Sequence, residues 1–203
     1  MNEAVNIDLF AEDRAHEEFL KAVIHRLARG EKLKVKIRSR SARGGHGKAL
    51  SEFRAYQKAV LFGEEIFSPV PDLLFVAIDA NCDSFRLAHK GIEGSIRAEF
   101  KDKTVIACPD PHIERWYLAD KASFTAVVGR EPRVGKRKCK RDYYKSALAN
   151  AIVAAGHPPT LGGIEFAKEI VDAMDFYAAG GVDRSLKAFL DDARRMIKSI
   201  PRD

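Results

Sequence analysis

Three apolar runs in the sequence each end in carboxylates. "VNIDLFAED" closes on Glu12 and Asp13, "LLFVAIDANCD" on Asp79, Asn81 and Asp83, and "TVIACPDPHIER" on Asp110 and Glu114. One acid behind a strand is ordinary. Three strand ends gathered at one edge of a sheet would crowd several negative charges, and only protons or a divalent cation offset such a cluster. Hard oxygen donors without a regularly spaced His or Cys set point to Mg2+ or Mn2+ rather than zinc. Each residue also has a plainer use. Glu12 or Asp13 could cap the following helix, Asp79 could open an Asx-turn with Asn81, and Asp110 with Pro111 resembles a helix start that places Glu114 in the first turn. His16, His46 and His112 are dispersed along the chain, and an exposed or capping role is expected for each.

The elements that must position these residues alternate. Val5–Ala11 reads as a strand with Val5, Ile7 and Leu9 on one face. "RAHEEFLKAVIHRLARG" then carries Phe19, Leu20, Val23, Ile24 and Leu27 at helical spacing up to Gly30. "LKVKIRS" alternates apolar and cationic residues, as an outer strand with one cationic face would. "SARGGHGK" breaks the pattern; it is not a Walker nest, because the spacing is wrong and Ala49 stands where that motif needs a hydroxyl. "ALSEFRAYQKAVLFG" reads as a helix, Leu73–Ile78 as a central strand covered on both faces, "SFRLAHKGIEGSIRAEF" as a broken helix and "KTVIACP" as another buried strand. This order predicts an α/β three-layer domain with a mostly parallel sheet, in which function sits beyond the carboxyl ends of the strands. "IERWYLAD" should be a helix anchored by Trp116 or Tyr117 with Leu118. Residues 123–203 read as a basic loop and a helical extension packed on the domain formed by residues 1–122, with "IEFAKEIVDAMDFYAAGG" and "VDRSLKAFLDDARRMIKSI" as two amphipathic helices.

Charge is uneven. Residues 29–48 hold eight Lys/Arg against one acid and residues 130–145 eight against two, within a chain of net +6, so the remainder sums to −7. Two basic blocks on an acidic remainder suit a polyanion groove beside a carboxylate site, although solubilising loops would have the same composition. Three cysteines with no CxxC pair argue against a disulfide scaffold and a thiolate zinc site. An acidic N-terminus and the lack of an eighteen-residue apolar window predict a cytoplasmic protein without a membrane segment.

"LFAEDRAHEEFLKAVIHRL", "LLFVAIDANCD" and "PDPHIERWYLAD" together resemble the glutamate, Asp-x-Asp and later acidic segments of the Toprim fold, specifically the small stand-alone Toprim-like proteins of bacteria related to the overcoming-lysogenization-defect nucleases. The resemblance covers about the first 120 residues. It implies magnesium-dependent cleavage, joining or priming of DNA, with the glutamate on Glu12, the first aspartate on Asp79, the second on Asn81, and the trailing acid of the first helix on Glu17. Two departures stand out: Asp13 occupies a position where many relatives have glycine, and Asn81 offers an amide in place of a charge. Asp83 is the residue that could compensate.

The resulting expectation is a magnesium-dependent nuclease on DNA, with RNA also open as substrate. Glu12, Asp79 and Glu114 form the catalytic set. Glu12, Glu17, Asp79, Asn81 and Asp83 are the metal ligands, and Arg38, Arg40, Arg43, Lys48, Lys136, Arg137, Lys138, Lys140 and Arg141 contact backbone phosphates. Tyr143 and Tyr144 fit packing against the body of the domain better than a covalent role. By the same resemblance the chain would be the effector subunit of an anti-phage complex, docking an ATPase partner and free to self-associate. The alternative is a catalytically weak nucleic-acid-binding or sensor subunit of such a complex.

Overall fold

In the computed structural model, residues 4–63, 69–140, 142–158 and 160–201 are described. They form a parallel sheet of β1 (Val5–Ala11), β2 (Val35–Ser41), β3 (Leu73–Ala77) and β4 (Thr104–Ala107) in the order β2-β1-β3-β4. The chain runs outward from β1 to β2, then crosses back over β1 to lay down β3. The strand order therefore reverses between β1 and β3, the place where open α/β sheets leave a crevice at their carboxyl ends.

Alternation along the strands produces two separate cores. On one face Ile7, Leu9, Phe75, Ala77 and Val105 pack under α1 (Arg14–Gly30) and the C-terminal helices. On the other, Phe10, Leu74 and Val76 pack under α2 (His46–Leu61) and α3 (Phe85–Glu93), with Phe53, Val60 and Ile92 buried there. This is the three-layer α/β arrangement expected. The boundaries of β1 and α1 fall where the periodicity puts them. β2 begins two residues later than its alternation suggested, and α2 begins at His46, so that the loop before it is confined to residues 42–45.

Two helices are shorter than the sequence suggested. "IERWYLAD" yields only α4 (Glu114–Tyr117), because Asp120 turns the chain and caps α5 (Lys121–Val128), accepting the amide of Ser123 at 3.2 Å. Asp110 and Pro111, joined by a cis peptide, do not cap α4; Ile113 holds the cap position. Beyond α6 (Tyr143–Ala154), the single helix expected over "IEFAKEIVDAMDFYAAGG" is split into α7 (Ala167–Ala173) and α8 (Phe176–Val182). Asp175 causes the break by accepting the amides of Tyr177 and Ala178 at 2.8 and 3.1 Å.

The helical extension completes the first core. From α9 (Arg184–Lys198), Phe189 stacks on Trp116 at 5.2 Å between ring centroids and meets Phe75 edge-on at 6.4 Å. The Trp116 indole donates to Ser185 Oγ at 2.9 Å, and the Tyr117 hydroxyl donates to the Ala15 carbonyl at 2.8 Å. Trp116, Tyr117 and Leu118 thus anchor α4 as the sequence suggested, and they fix the backbone that carries Glu114. Among the described residues no helix is long and apolar enough to cross a membrane.

Candidate metal centre at the carboxyl edge of the sheet

Backbone hydrogen bonds draw three strand ends together just beyond the sheet. The Glu12 amide donates to the Ala77 carbonyl at 2.8 Å, Ile78 to Ala107 at 3.0 Å, Ala80 to Pro109 at 2.8 Å and Asn81 to Pro111 at 2.9 Å. Asn81 takes a left-handed backbone, φ 51°, which Asn tolerates better than most residues with a side chain. The Glu12 carboxylate then closes over β3, with Oε2 accepting the Asp79 amide at 3.0 Å. Glu12 and Asp79 are therefore neighbours across the β1/β3 switch point. Ligand-capable atoms of Glu12, His16 and Asp79, all buried, lie within 4.8 Å of one another, a group that could hold a metal ion.

The three histidines converge here: His46 is exposed, as expected, and His112 is half-buried, but His16 is not at the surface. His16 is fully buried on the inner face of α1. Its Nδ1 is 2.7 Å from Asp13 Oδ1 and its Nε2 is 2.9 Å from Asp79 Oδ1. Burial works to lower its pKa, but the charge of Asp79 and the hydrogen bonds to both aspartates prevail and hold it well above the usual histidine value. Asp13 is the helix cap that its position allowed, accepting the His16 amide at 3.1 Å. Burial raises its pKa, yet the hydrogen bond and charge of His16 outweigh that and bring it to about 2. Two further rings face these carboxylates: His46 Nδ1 lies 3.1 Å from Glu12 Oε2, and His112 Nδ1 lies 3.2 Å from Asp79 Oδ2. Both have raised pKa values, in each case chiefly from that hydrogen bond.

The other proposed ligands separate. Asn81 sits beside the pair, with its amide 2.9 Å from His46 Nδ1. A protonated ring nitrogen facing both Glu12 and Asn81 requires the amide oxygen, not the NH2, to be turned toward it. Glu17 is held away from the cluster by Ser39 Oγ at 2.6 Å, Ser41 Oγ at 2.9 Å and an ion pair with Lys21. It braces α1 against β2 and stands apart from the Glu12 and Asp79 pair. Asp83 is exposed in the turn after Asn81 and reaches the group only through its charge on His46. Glu114 is buried and lines the same cavity of about 390 Å³ as Glu12, Asp79 and His112. Burial raises its carboxyl pKa, the direction that suits a group exchanging protons.

The cationic residues sort into three kinds. Arg38 does not face a phosphate groove. It forms a two-pronged pair with buried Asp8, Nε and Nη2 at 2.6 and 2.9 Å, directly across the β1/β2 ladder, while the Tyr56 hydroxyl donates to the same carboxylate. A carboxylate in the interior must be paired, and Asp8 in the middle of "VNIDLFA" was the signal that a cation would be drawn inward. Lys138 turns toward the site, pairing with Asp110 at 2.5 Å and lining the cavity together with Lys145, a residue the sequence reading did not single out. Arg40, Arg43, Lys48, Lys136, Arg137 and Lys140 are exposed; Arg141 lies outside the described residues. Tyr144 is buried and Tyr143 stacks edge-on against it at 5.1 Å, in keeping with packing roles. All three cysteines are free; Cys108 is buried, which pushes its thiol up to about 12, and exposed Cys82 and Cys139 both line the cavity.

Comparison with protein-family models, with curated proteins and with solved structures finds no match to this chain. The fold and the site define an α/β domain with a buried carboxylate–histidine cluster at its topological switch point.

Proposed function

We propose that this protein is a divalent-metal-dependent phosphodiester hydrolase acting on DNA, with RNA as the other candidate substrate. The observation that carries the reading is the approach of Glu12 and Asp79 across the β1/β3 crevice, in a cavity rimmed by Lys138 and Lys145. The donor set fits a hard divalent cation such as Mg2+ or Mn2+: two carboxylates on adjacent strand ends, with one or two further groups beside them and a cavity large enough for coordinated water. When bound, such an ion supplies charge to offset negative charge developing at phosphorus and lowers the pKa of water.

The protein's own groups would divide the remaining work. Glu12 and Asp79 hold the ion, and His16 fixes the Asp79 carboxylate from behind, with both its nitrogens committed to aspartates. Glu114, raised by burial, is placed to take a proton from the attacking water or return one to the leaving oxygen. Lys138 and Lys145 hold a phosphate oxygen at the cavity, and the exposed cations of residues 40–48 and 136–140 hold flanking backbone phosphates without reading sequence. The Toprim resemblance supports the same ligand pair. It is also the basis for proposing a cytoplasmic effector subunit of an antiviral complex with an ATPase partner.

A second reading, a catalytically weak nucleic-acid-binding subunit, is favoured by Asn81, where a charged ligand is missing, and by His16, whose positive charge already offsets part of the cluster. One assay separates the two. Hydrolysis of DNA and of RNA is measured with Mg2+ and with Mn2+, for the wild type and for Asp79→Asn, alongside binding in EDTA. The hydrolase reading expects a rate loss of about a hundredfold or more with binding retained; full activity in the variant would overturn it, and an inactive wild type that still binds would establish the second reading.

A further inference from the structure

Two rings at this site have no use in an all-oxygen magnesium centre. His46, at the start of α2, and His112, in the loop before α4, approach from different elements and present Nδ1 to different carboxylates, Glu12 Oε2 at 3.1 Å and Asp79 Oδ2 at 3.2 Å. His16 is of another kind: it is fully buried and both its nitrogens face aspartates, so it could take an ion only by giving up its hydrogen bond to Asp79. The His46 and His112 side chains are 49% and 22% exposed, so both rings can move without breaking the core; among the described residues only Glu12, His16 and Asp79 already have ligand atoms within 4.8 Å of one another, so an ion would have to draw the two rings in. His112 lines the cavity beside Asp79 and Glu114, while His46 is tied to Asn81, another lining residue.

From this placement we infer that the ion held here is a first-row transition metal, Mn2+ or a later member, bound by Glu12 and Asp79 together with Nδ1 of His46 and of His112. The inference rests on the reading of Glu12 and Asp79 as ligands and adds the class of metal. The physical basis is donor softness. Mg2+ keeps its water and takes a carboxylate or two, gaining little from a ring nitrogen, whereas imidazole binds the divalent metals from manganese through zinc with increasing strength. Two carboxylates and two imidazoles also carry less negative charge than the four-acid set read from the sequence, so the site depends less on bare charge to attract its ion. Asn81 then need not be a ligand: its hydrogen bond to His46 Nδ1 gives way when that nitrogen loses its proton and takes the ion.

The test needs no substrate. The purified full-length protein is titrated with Mn2+ and separately with Mg2+ alone, and the Mn2+-loaded protein is examined by pulsed electron paramagnetic resonance for 14N coupling from a directly bound ring. The wild type should show that coupling and bind Mn2+ at least about tenfold more tightly than Mg2+. His46→Ala and His112→Ala should each weaken Mn2+ by at least about 10- to 100-fold, the loss seen even for outer partners of a ligand, and each should reduce the 14N signal. Circular dichroism of the variants confirms that they remain folded. Equal affinity for the two ions, bound Mn2+ without 14N coupling, or variants with unchanged Mn2+ affinity would each overturn the inference while leaving an oxygen-ligated hydrolase intact. Failure to bind either ion would overturn both. Nitrogen-ligated manganese in a protein inactive on DNA and RNA would sustain the inference and overturn the hydrolase.

Discussion

Replacing His16 by leucine should destabilise the metal-free protein in a pH-dependent way. Leucine fills most of the ring's space, so the main loss is two hydrogen bonds to charged groups rather than a cavity. Each such bond contributes about 1.5–3 kcal/mol when buried. The Asp79 bond qualifies, since both partners are buried. The Asp13 side chain is 56% exposed, however, and solvent reduces its share to about 1 kcal/mol or less. The sum is about 1.5–4 kcal/mol, which for a chain of this size is about 3–16 °C in Tm. The sign with pH follows from the raised pKa of His16. Its contribution is fully present below the unfolded value, about 6.5, and declines as pH rises through the higher folded value. Denaturant unfolding in EDTA, from pH 5.5 to 9, should therefore show the largest gap between wild type and His16→Leu at the acid end. Above about pH 6.5 it should narrow by no more than about 1.4 kcal/mol per unit. A gap under about 1 kcal/mol, or one that does not change with pH, would refute the buried imidazolium.

Four more outcomes test the sorting of the charged and core residues. Arg38→Ala should cost about 3 kcal/mol by leaving Asp8 buried and unpaired, measured by denaturant unfolding, and should leave the salt dependence of DNA binding unchanged. Removing the charges of Lys136, Arg137 and Lys140 should lower that salt slope by about one unit for each phosphate no longer neutralised, with stability near wild type; an unchanged slope would take this segment out of the groove. Phe189→Ala should cost about 3–5 kcal/mol, and residues 1–122 expressed alone should fail to unfold cooperatively, because Trp116 and Phe75 would be stripped of the aromatic ring that covers them.

The parts of the fold that were legible in the sequence are those where one periodicity dominates. The run Leu73–Ile78 is long enough for a strand and too short for a helix, and the apolar stripe of α1 starts at a cap and stops at a glycine. Glu12 and Asp79 were legible because strand ends in a parallel sheet share one edge. What escaped depends on the meeting of distant segments. His16 looked like a surface residue on a helix until α1 folded it against Asp79, 63 positions away. Arg38 counted as surface charge because its neutralising partner lies on another strand in register. Glu17 sits one helical turn beyond Asp13, but the side chains of β2 claim its carboxylate. The splits at Asp120 and Asp175 were written in the sequence as capping residues inside apolar stripes, and the stripe masked them.

The central claim is that Glu12 and Asp79 jointly hold a divalent ion, and anomalous diffraction from crystals containing Mn2+ tests it most directly. A peak at about 2.1 Å from a carboxylate oxygen of each residue is the predicted result. Well-diffracting crystals with no anomalous peak between the two carboxylates, or with Mn2+ bound elsewhere on the chain, would contradict it.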